Sequence, residues 1–230
     1  MSFAITLFSN APSTPGFDNT YAHFKVRLAE KLTFSEPYEV ALDYITFPKT
    51  WYNVFDENVL LVGRTNDAWV YAQVVMPRGY YETSKKVVEK LNSLFQENLK
   101  PLIGRTITKM PELIWNPFLK SCSFNDAKMI AGKSKVPIEL SLSDHLKAII
   151  GYVPHNLKPE EMLKVYCADI HAGFRTLLAY TNIVDYTFVG HTRSQLLELI
   201  DIPTSASFGD QIQHRITSPR YIPLISPEVE

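Results

Sequence analysis

Residues 38–54 read YEVALDYITFPKTWYNV, and the fold class turns on this stretch. Val40, Leu42 and Tyr44 fall on one face of an extended chain and Glu39, Ala41 and Asp43 on the other, the alternation of a strand with one face on a core. Ile45, Phe47, Trp51, Tyr52, Val54 and Phe55 then crowd around Pro48, where a strand ends and the chain turns. Large rings packed about a proline turn make the corner of a β-sandwich; they do not make a catalytic loop.

Working outward, Phe3, Ile5 and Leu7 alternate over residues 3–8 and predict a first strand, followed by a turn-rich loop over 9–20 with Pro12, Pro15, Gly16 and Asn19. Phe24, Val26 and Leu28 alternate with Lys25 and Arg27 and predict a second. Runs at 59–62 and 69–76 flank Gly63-Arg64-Thr65-Asn66-Asp67, the pattern of a hairpin with a longer loop. The period then changes. Val87, Val88, Leu91, Leu94 and Phe95 recur at three and four, with Lys85, Lys86, Glu89 and Lys90 opposite, which predicts an amphipathic helix from Thr83 or Ser84 to a point before Pro101.

The stretch 101–132 reads as irregular, with short strands at 112–115 and 120–124. After an apolar run ending at Ile138 and Leu140, Leu142, Leu146, Ile149 and Ile150 predict a second helix, N-capped by Ser141 or Ser143 and closed by Gly151. Residues 162–168 and 177–189, rich in β-branched and aromatic types, read as strands. The sum is an all-β domain spanning 1–230, a sandwich or barrel of about eight strands with two short helical insertions.

At 230 residues, 46% hydrophobic, the chain has ample material for a core, and a net charge of -1 provides no global field for nucleic acid or an anionic membrane. The N-terminus lacks a basic segment followed by an apolar run, and no stretch approaches the ~20 apolar residues of a membrane span. Cys122 and Cys167 read as free thiols of a reducing compartment, which points to synthesis in a cytosol.

Catalytic patterns are scarce. His23, His145, His155, His171, His191 and His214 are scattered without the spacing of a compact metal site, and the HxH pair that cupins place on a strand is missing, which weakens a metal-dependent oxygenase. In YCADIHAG, residues 166–173, Cys167, Asp169 and His171 would share a face if extended, which raises a thiol nucleophile; the plainer reading of Cys167 is a small buried apolar residue. No dinucleotide-binding, P-loop or nucleophile-elbow motif occurs; Gly132-Lys133-Ser134 lacks the rest of a P-loop. Arg78 with Lys85, Lys86 and Lys90, and Lys128 with Lys133 and Lys135, form two basic clusters that read as solvated faces and give nucleic-acid contact weak support.

Several landmarks fall in a recognisable order: SFAITLFSN at 2–10, DNT at 18–20 ahead of FKVRL, YEVALDYITFPKTWYNV at 38–54, MPRGYY at 76–81, IELSLSDHLKAIIGY at 138–152, YTNIVDYTFVGHTRSQLLELI at 180–200 and RYIPL at 220–224. In this order the chain resembles the minor capsid, or penton, proteins of Polinton/Maverick elements and related virophage-like and adintovirus-like viruses. The resemblance covers most of the chain and depends on motif order, with no single diagnostic motif.

The resemblance implies a single jelly roll that forms homopentamers at the vertices of an icosahedral shell, meets a double jelly-roll major capsid protein, and resides in the virion after assembly inside the host cell. It implies no cofactor, no metal and no catalytic residue. Trp51, Tyr52, Asn53, Tyr80 and Tyr81 become candidate corner or assembly residues. Family members continue beyond the YIPL segment with one or two strands, whereas this sequence stops at Glu230, so the resemblance implies a shortened jelly roll or strands supplied by a neighbour. Two other classes compete: a lectin-like or receptor-binding jelly roll using Trp69, Tyr71, Tyr80 and Tyr81, and a cysteine hydrolase using Cys167 and His171.

Overall fold

A computed structural model describes residues 3–11, 17–20, 22–64, 69–100, 107–125, 127–131, 134–154, 167–172 and 174–229, with the backbone alone described at 64, 69–71, 129, 131 and 134. Contacts within the chain gather into two compact units: unit one, Met1–Lys49 with Arg175–Glu230, and unit two, Thr50–Phe174. Unit one opens with β1 (Leu32–Thr33), β2 (Glu39–Val40) and β3 (Tyr44–Pro48). Unit two contributes β4 (Glu57–Arg64), β5 (Trp69–Met76), α1 (Ser84–Leu99), β6 (Leu113–Asn116), β7 (Ser121–Phe124), β8 (Lys128–Ala131), β9 (Ser134–Ser141), α2 (Asp144–Ile150) and β10 (Tyr152–Val153). Unit one resumes with β11 (Thr176–Tyr180), β12 (Thr187–Val189), β13 (Thr192–Ser194), β14 (Leu196–Asp201), β15 (Gln211–Arg215), β16 (Ile222–Pro223) and β17 (Glu228–Val229). The protein is thus mostly β with two helices, its strand pairs antiparallel except for β10 beside β7.

Unit two has a four-stranded sheet in the order β5-β4-β9-β8 and a three-stranded one in the order β10-β7-β6. The expected hairpin is β4 against β5, whose ladder runs on through Gly63 and Arg64. Helix α1 forms where the apolar period predicts it: Thr83 Oγ1 accepts from Lys86 N at 3.3 Å as the N-cap, and Val87, Val88, Leu91, Phe95 and Leu99 are buried along one stripe. Helix α2 starts on Ser143, whose hydroxyl accepts from Leu146 N, and stops at Gly151 with φ 61°. A Cβ at Gly151 would lie 2.6 Å from Ala168 N and 2.8 Å from Lys120 O, so both the backbone conformation and the space require glycine there.

Unit one is built from pairs: β1 with β17, β2 with β16, β3 with β15, β11 with β14 and β12 with β13, with an isolated bridge between Val184 and Leu224. This pairing splits residues 38–48, which the alternation presents as continuous. Val40 pairs with Ile222 and Tyr44 with Arg215, so the chain changes partner across residues 41–43 and the inward face shifts by one position. Ile45 and Phe47 turn inward, and Tyr44 is exposed.

Lys49, 1% exposed, follows directly; its ammonium donates to Ala206 O at 2.6 Å, its amide to Asp210 O, and its carbonyl accepts from Gly209 N. A buried charge needs such a partner, and this one fastens the loop between β14 and β15.

Several expectations do not hold. Residues 3–8 and 24–28 form no strand; Phe3, Ile5, Leu7 and Phe8 are exposed, and Phe3 stacks on Phe34 at 5.9 Å. Alternation licenses a strand only when a neighbour supplies backbone partners. The strand expected over 177–189 is two, because β11 pairs with β14 while β12 turns back on β13. The strand expected over 162–168 falls on residues outside those described, save for Cys167 and Ala168, which are not in a strand.

Candidate functional site

The five corner residues lie in unit two and divide into two roles. Asn53, 9% exposed, makes a reciprocal pair with one backbone unit: its Nδ2 donates to Tyr81 O and its Oδ1 accepts from Tyr81 N, both at 2.8 Å. Its Nδ2 also donates to Ile170 O at 3.2 Å. Beside it Val54 and Gly79 exchange backbone hydrogen bonds of 3.1 and 2.9 Å, so five hydrogen bonds from residues 53 and 54 close the corner. Tyr81 packs its ring against the core of the unit, and burial raises its hydroxyl pKa.

Tyr80 is half-buried. Trp51 is half-buried and meets Phe174 edge-on at 5.7 Å. Tyr52, 46% exposed, is the member most open to a partner. Asn53 and Tyr81 are therefore parts of the scaffold.

The same device recurs. Asn92 on α1 pairs with the backbone of Leu113, 2.9 Å to its O and 2.8 Å from its N, and Asn19 pairs with Lys25 at 3.2 and 2.8 Å. Each amide substitutes for a missing strand neighbour. Asn19 sits in the DNT motif and Asn53 in WYN, so two of the landmark motifs contain residues that hold backbone. A donor-and-acceptor side chain next to an apolar run was the available signal for Asn92.

A polar cluster that the sequence does not flag joins β4 to α2. Glu57, its side chain 11% exposed, accepts from the Ser143 hydroxyl and lies 2.7 Å from His145 Nδ1, while the His145 ring packs on Phe55 at 5.5 Å. Glu57 thereby holds the N-cap serine and the first turn of α2 against the end of the sheet. The serine faces the carboxylate, not the imidazole, so the three do not form a nucleophilic relay.

Cys167 is exposed, which corrects the expectation of a buried apolar residue: residues 167–169 are not in a strand, so no sheet face covers it. Asp169 Oδ1 accepts from the His171 backbone N at 3.1 Å, turning the chain at this point. Cys122 is free and fully buried, and burial pushes its thiol up to about 12, far from the thiolate a nucleophile needs. Tyr152, its register partner on β10, is likewise pushed up to about 12, first by burial and then by Cys122 and Glu139.

Among the described residues no group of three or more His, Cys, Asp or Glu could hold a metal ion, and no helix is long and apolar enough to cross a membrane. The first basic cluster is interleaved with acid: Lys85 with Glu89 at 3.4 Å, Lys86 with Glu82, Arg78 with Asp56 at 4.0 Å. Of the residues offered for sugar stacking, Tyr80 and Tyr81 are half-buried, and the side chains of Trp69 and Tyr71 lie outside those described.

Both units expose apolar side chains, and among the described residues unit one exposes more of them. Leu178, Tyr180, Tyr186, Phe188, Leu199, Tyr221 and Ile225 are each 46% or more exposed, with Phe188 at 76%. Leu178 and Leu199 are directly opposite across the β11–β14 pair. No family model matches the chain, and no curated protein matches it. Among solved structures the chain has a likeness to the mavirus penton protein, at 11% sequence identity over 87% of this chain and 78% of that one, with a TM-score of 0.34. No assignment rests on a superposition at that level.

Proposed function

We propose that this chain is a structural capsid protein, a penton-like subunit of single jelly-roll type that assembles with copies of itself into a pentamer at an icosahedral vertex. The observation that carries the reading is the apolar surface of unit one. Each of those side chains leaves part of roughly 1.5–3 kcal/mol of burial unrealised in proportion to its exposure, Leu178 and Leu199 lie side by side on one face of the β11–β14 pair, and exposed apolar area on a folded protein marks a contact surface. The order of landmark motifs supports the viral setting, and the interleaved acids along α1 favour a protein contact over a nucleic-acid one. On this reading the second partner is a double jelly-roll major capsid protein and the final location is the virion, after assembly inside the host cell.

Light scattering with negative-stain imaging of the purified full chain tests the proposal. Fivefold rings of uniform mass are expected. A monomer at every concentration, with binding on a glycan array, would replace this reading with the receptor-binding one.

A further inference from the structure

The turn between β6 and β7 presents Phe118, the most exposed large apolar side chain of the described residues, with Leu119 beside it. Phe118 is 94% exposed and Leu119 68%. This turn is braced. Asn116 Oδ1 accepts from Phe118 N at 3.0 Å and from Leu119 N at 3.1 Å, Lys120 holds the left-handed conformation with φ 49°, and Lys120 O accepts from Ala168 N at 2.7 Å. Cys122 N, next along β7, donates to Gly151 O at 2.9 Å. A lysine at positive φ costs energy that glycine would not, and it is kept where surrounding contacts impose it. The result is a convex, pre-organised apolar knob flanked by an exposed cation.

A receiving surface of matching chemistry exists on unit one. The outer face of the β11–β14 pair carries Leu178 opposite Leu199, with Tyr180 further along β11. At the other end of that face Asp201 is exposed, opposite Thr176, which donates to it at 3.3 Å. Apolar centre and acidic rim complement apolar tip and basic flank. Cyclic rings need two dissimilar patches that fit one another, because each subunit meets its neighbours head to tail.

We infer that the Phe118-Leu119-Lys120 knob of one copy docks on the Leu178-Tyr180-Leu199-Asp201 face of the next, anchoring the heterologous interface of the ring. The occupant of the face is therefore a second copy of this chain, and the inference rests on the proposed self-assembly. Pre-organisation matters because a knob already in its bound shape loses little conformational entropy on docking. Two apolar anchors of this size account for a hot spot at the centre of a larger interface.

Concentration-dependent sedimentation of the full chain reads the effect, with thermal melting as the control for folding. Phe118→Asp with Leu119→Asp is expected to weaken self-association roughly a hundredfold, the equivalent of burying two such side chains. Lys120→Glu is expected to weaken it about tenfold, and Asp201→Lys in the same chain to restore it. Rescue by charge exchange is an outcome that mere misfolding does not give. Wild-type oligomers that persist in the Phe118 and Leu119 variant would overturn this docking while leaving self-assembly standing. A monomeric wild type would overturn both. Loss of binding to anionic phospholipid vesicles in that variant, with assembly unchanged, would overturn it in favour of lipid insertion.

Discussion

The two units bury their apolar residues to different degrees. In unit two, one continuous cluster from Val54 to Tyr152 buries the stripe of α1, the inner faces of β4, β5 and β9, and Leu146, Ile149 and Ile150 of α2. In unit one, the buried apolar side chains among the described residues are Val184, Leu196, Ile200, Ile202, Ile212 and Ile222, a thin set for so many strands. Its sheets are pairs with open edges, and Ser194 Oγ is buried without a hydrogen-bond partner. On the proposed reading this is a division of labour: unit two encloses most of its apolar residues in one cluster, and unit one finishes its burial by meeting a second copy.

Matched truncations put the comparison under the most strain. Ile149 and Ile200 are both fully buried, yet Ile149 belongs to the continuous cluster of unit two and Ile200 to the smaller set of unit one, so the cavity at Ile149 is expected to collapse less. Ile149→Ala is expected to cost about 4 kcal/mol in urea unfolding and Ile200→Ala about 2 kcal/mol in dilute solution, within the range for such deletions. Equal costs would break the distinction. Gly151→Ala, which must push a methyl into backbone at 2.6 and 2.8 Å, is expected to cost about 3 kcal/mol by the same measurement.

Within the corner, Asn53→Ala strands the backbone of Tyr81 and is expected to cost about 2 kcal/mol, whereas Tyr52→Ala should change the melting of the dilute chain little, by under about 0.5 kcal/mol. The reverse order would move Tyr52 into the scaffold. A further effect is alkaline. The Cys122 thiol, held above its ordinary 9.0 at about 12 in the folded state, contributes stability that is full below pH 9 and is lost as pH rises toward 12. Unit two should weaken by about 1 kcal/mol by pH 10, and Cys122→Ala should flatten that slope in urea titrations at pH 8 and 10.

Legibility in the sequence follows the same boundary. The helices over 84–99 and 144–150, their serine and threonine caps, Gly151 and the 57–76 hairpin were readable because local period, cap chemistry and burial agree there. Residues 3–8, 24–28 and 41–43 carry strand-like patterns whose outcome depends on partners remote in sequence, and pattern alone cannot supply a partner. Cys167 looked buried because its strand was assumed. Among the candidate corner residues, the sequence offers no split between Asn53 and Tyr81, which hold backbone and core, and the exposed Tyr52, since that depends on which ring the turn leaves outside. Glu57 gave no signal, because its partners Ser143 and His145 lie across the fold.

Amide hydrogen exchange of the full chain over a dilution series tests the division of labour most directly. Slow exchange is expected in α1, β4 and the segments around Leu113 and Cys122 at every concentration, with β11 and β14 exchanging fast when dilute and slowly once the chain assembles. Equal protection of both units at all concentrations would contradict it.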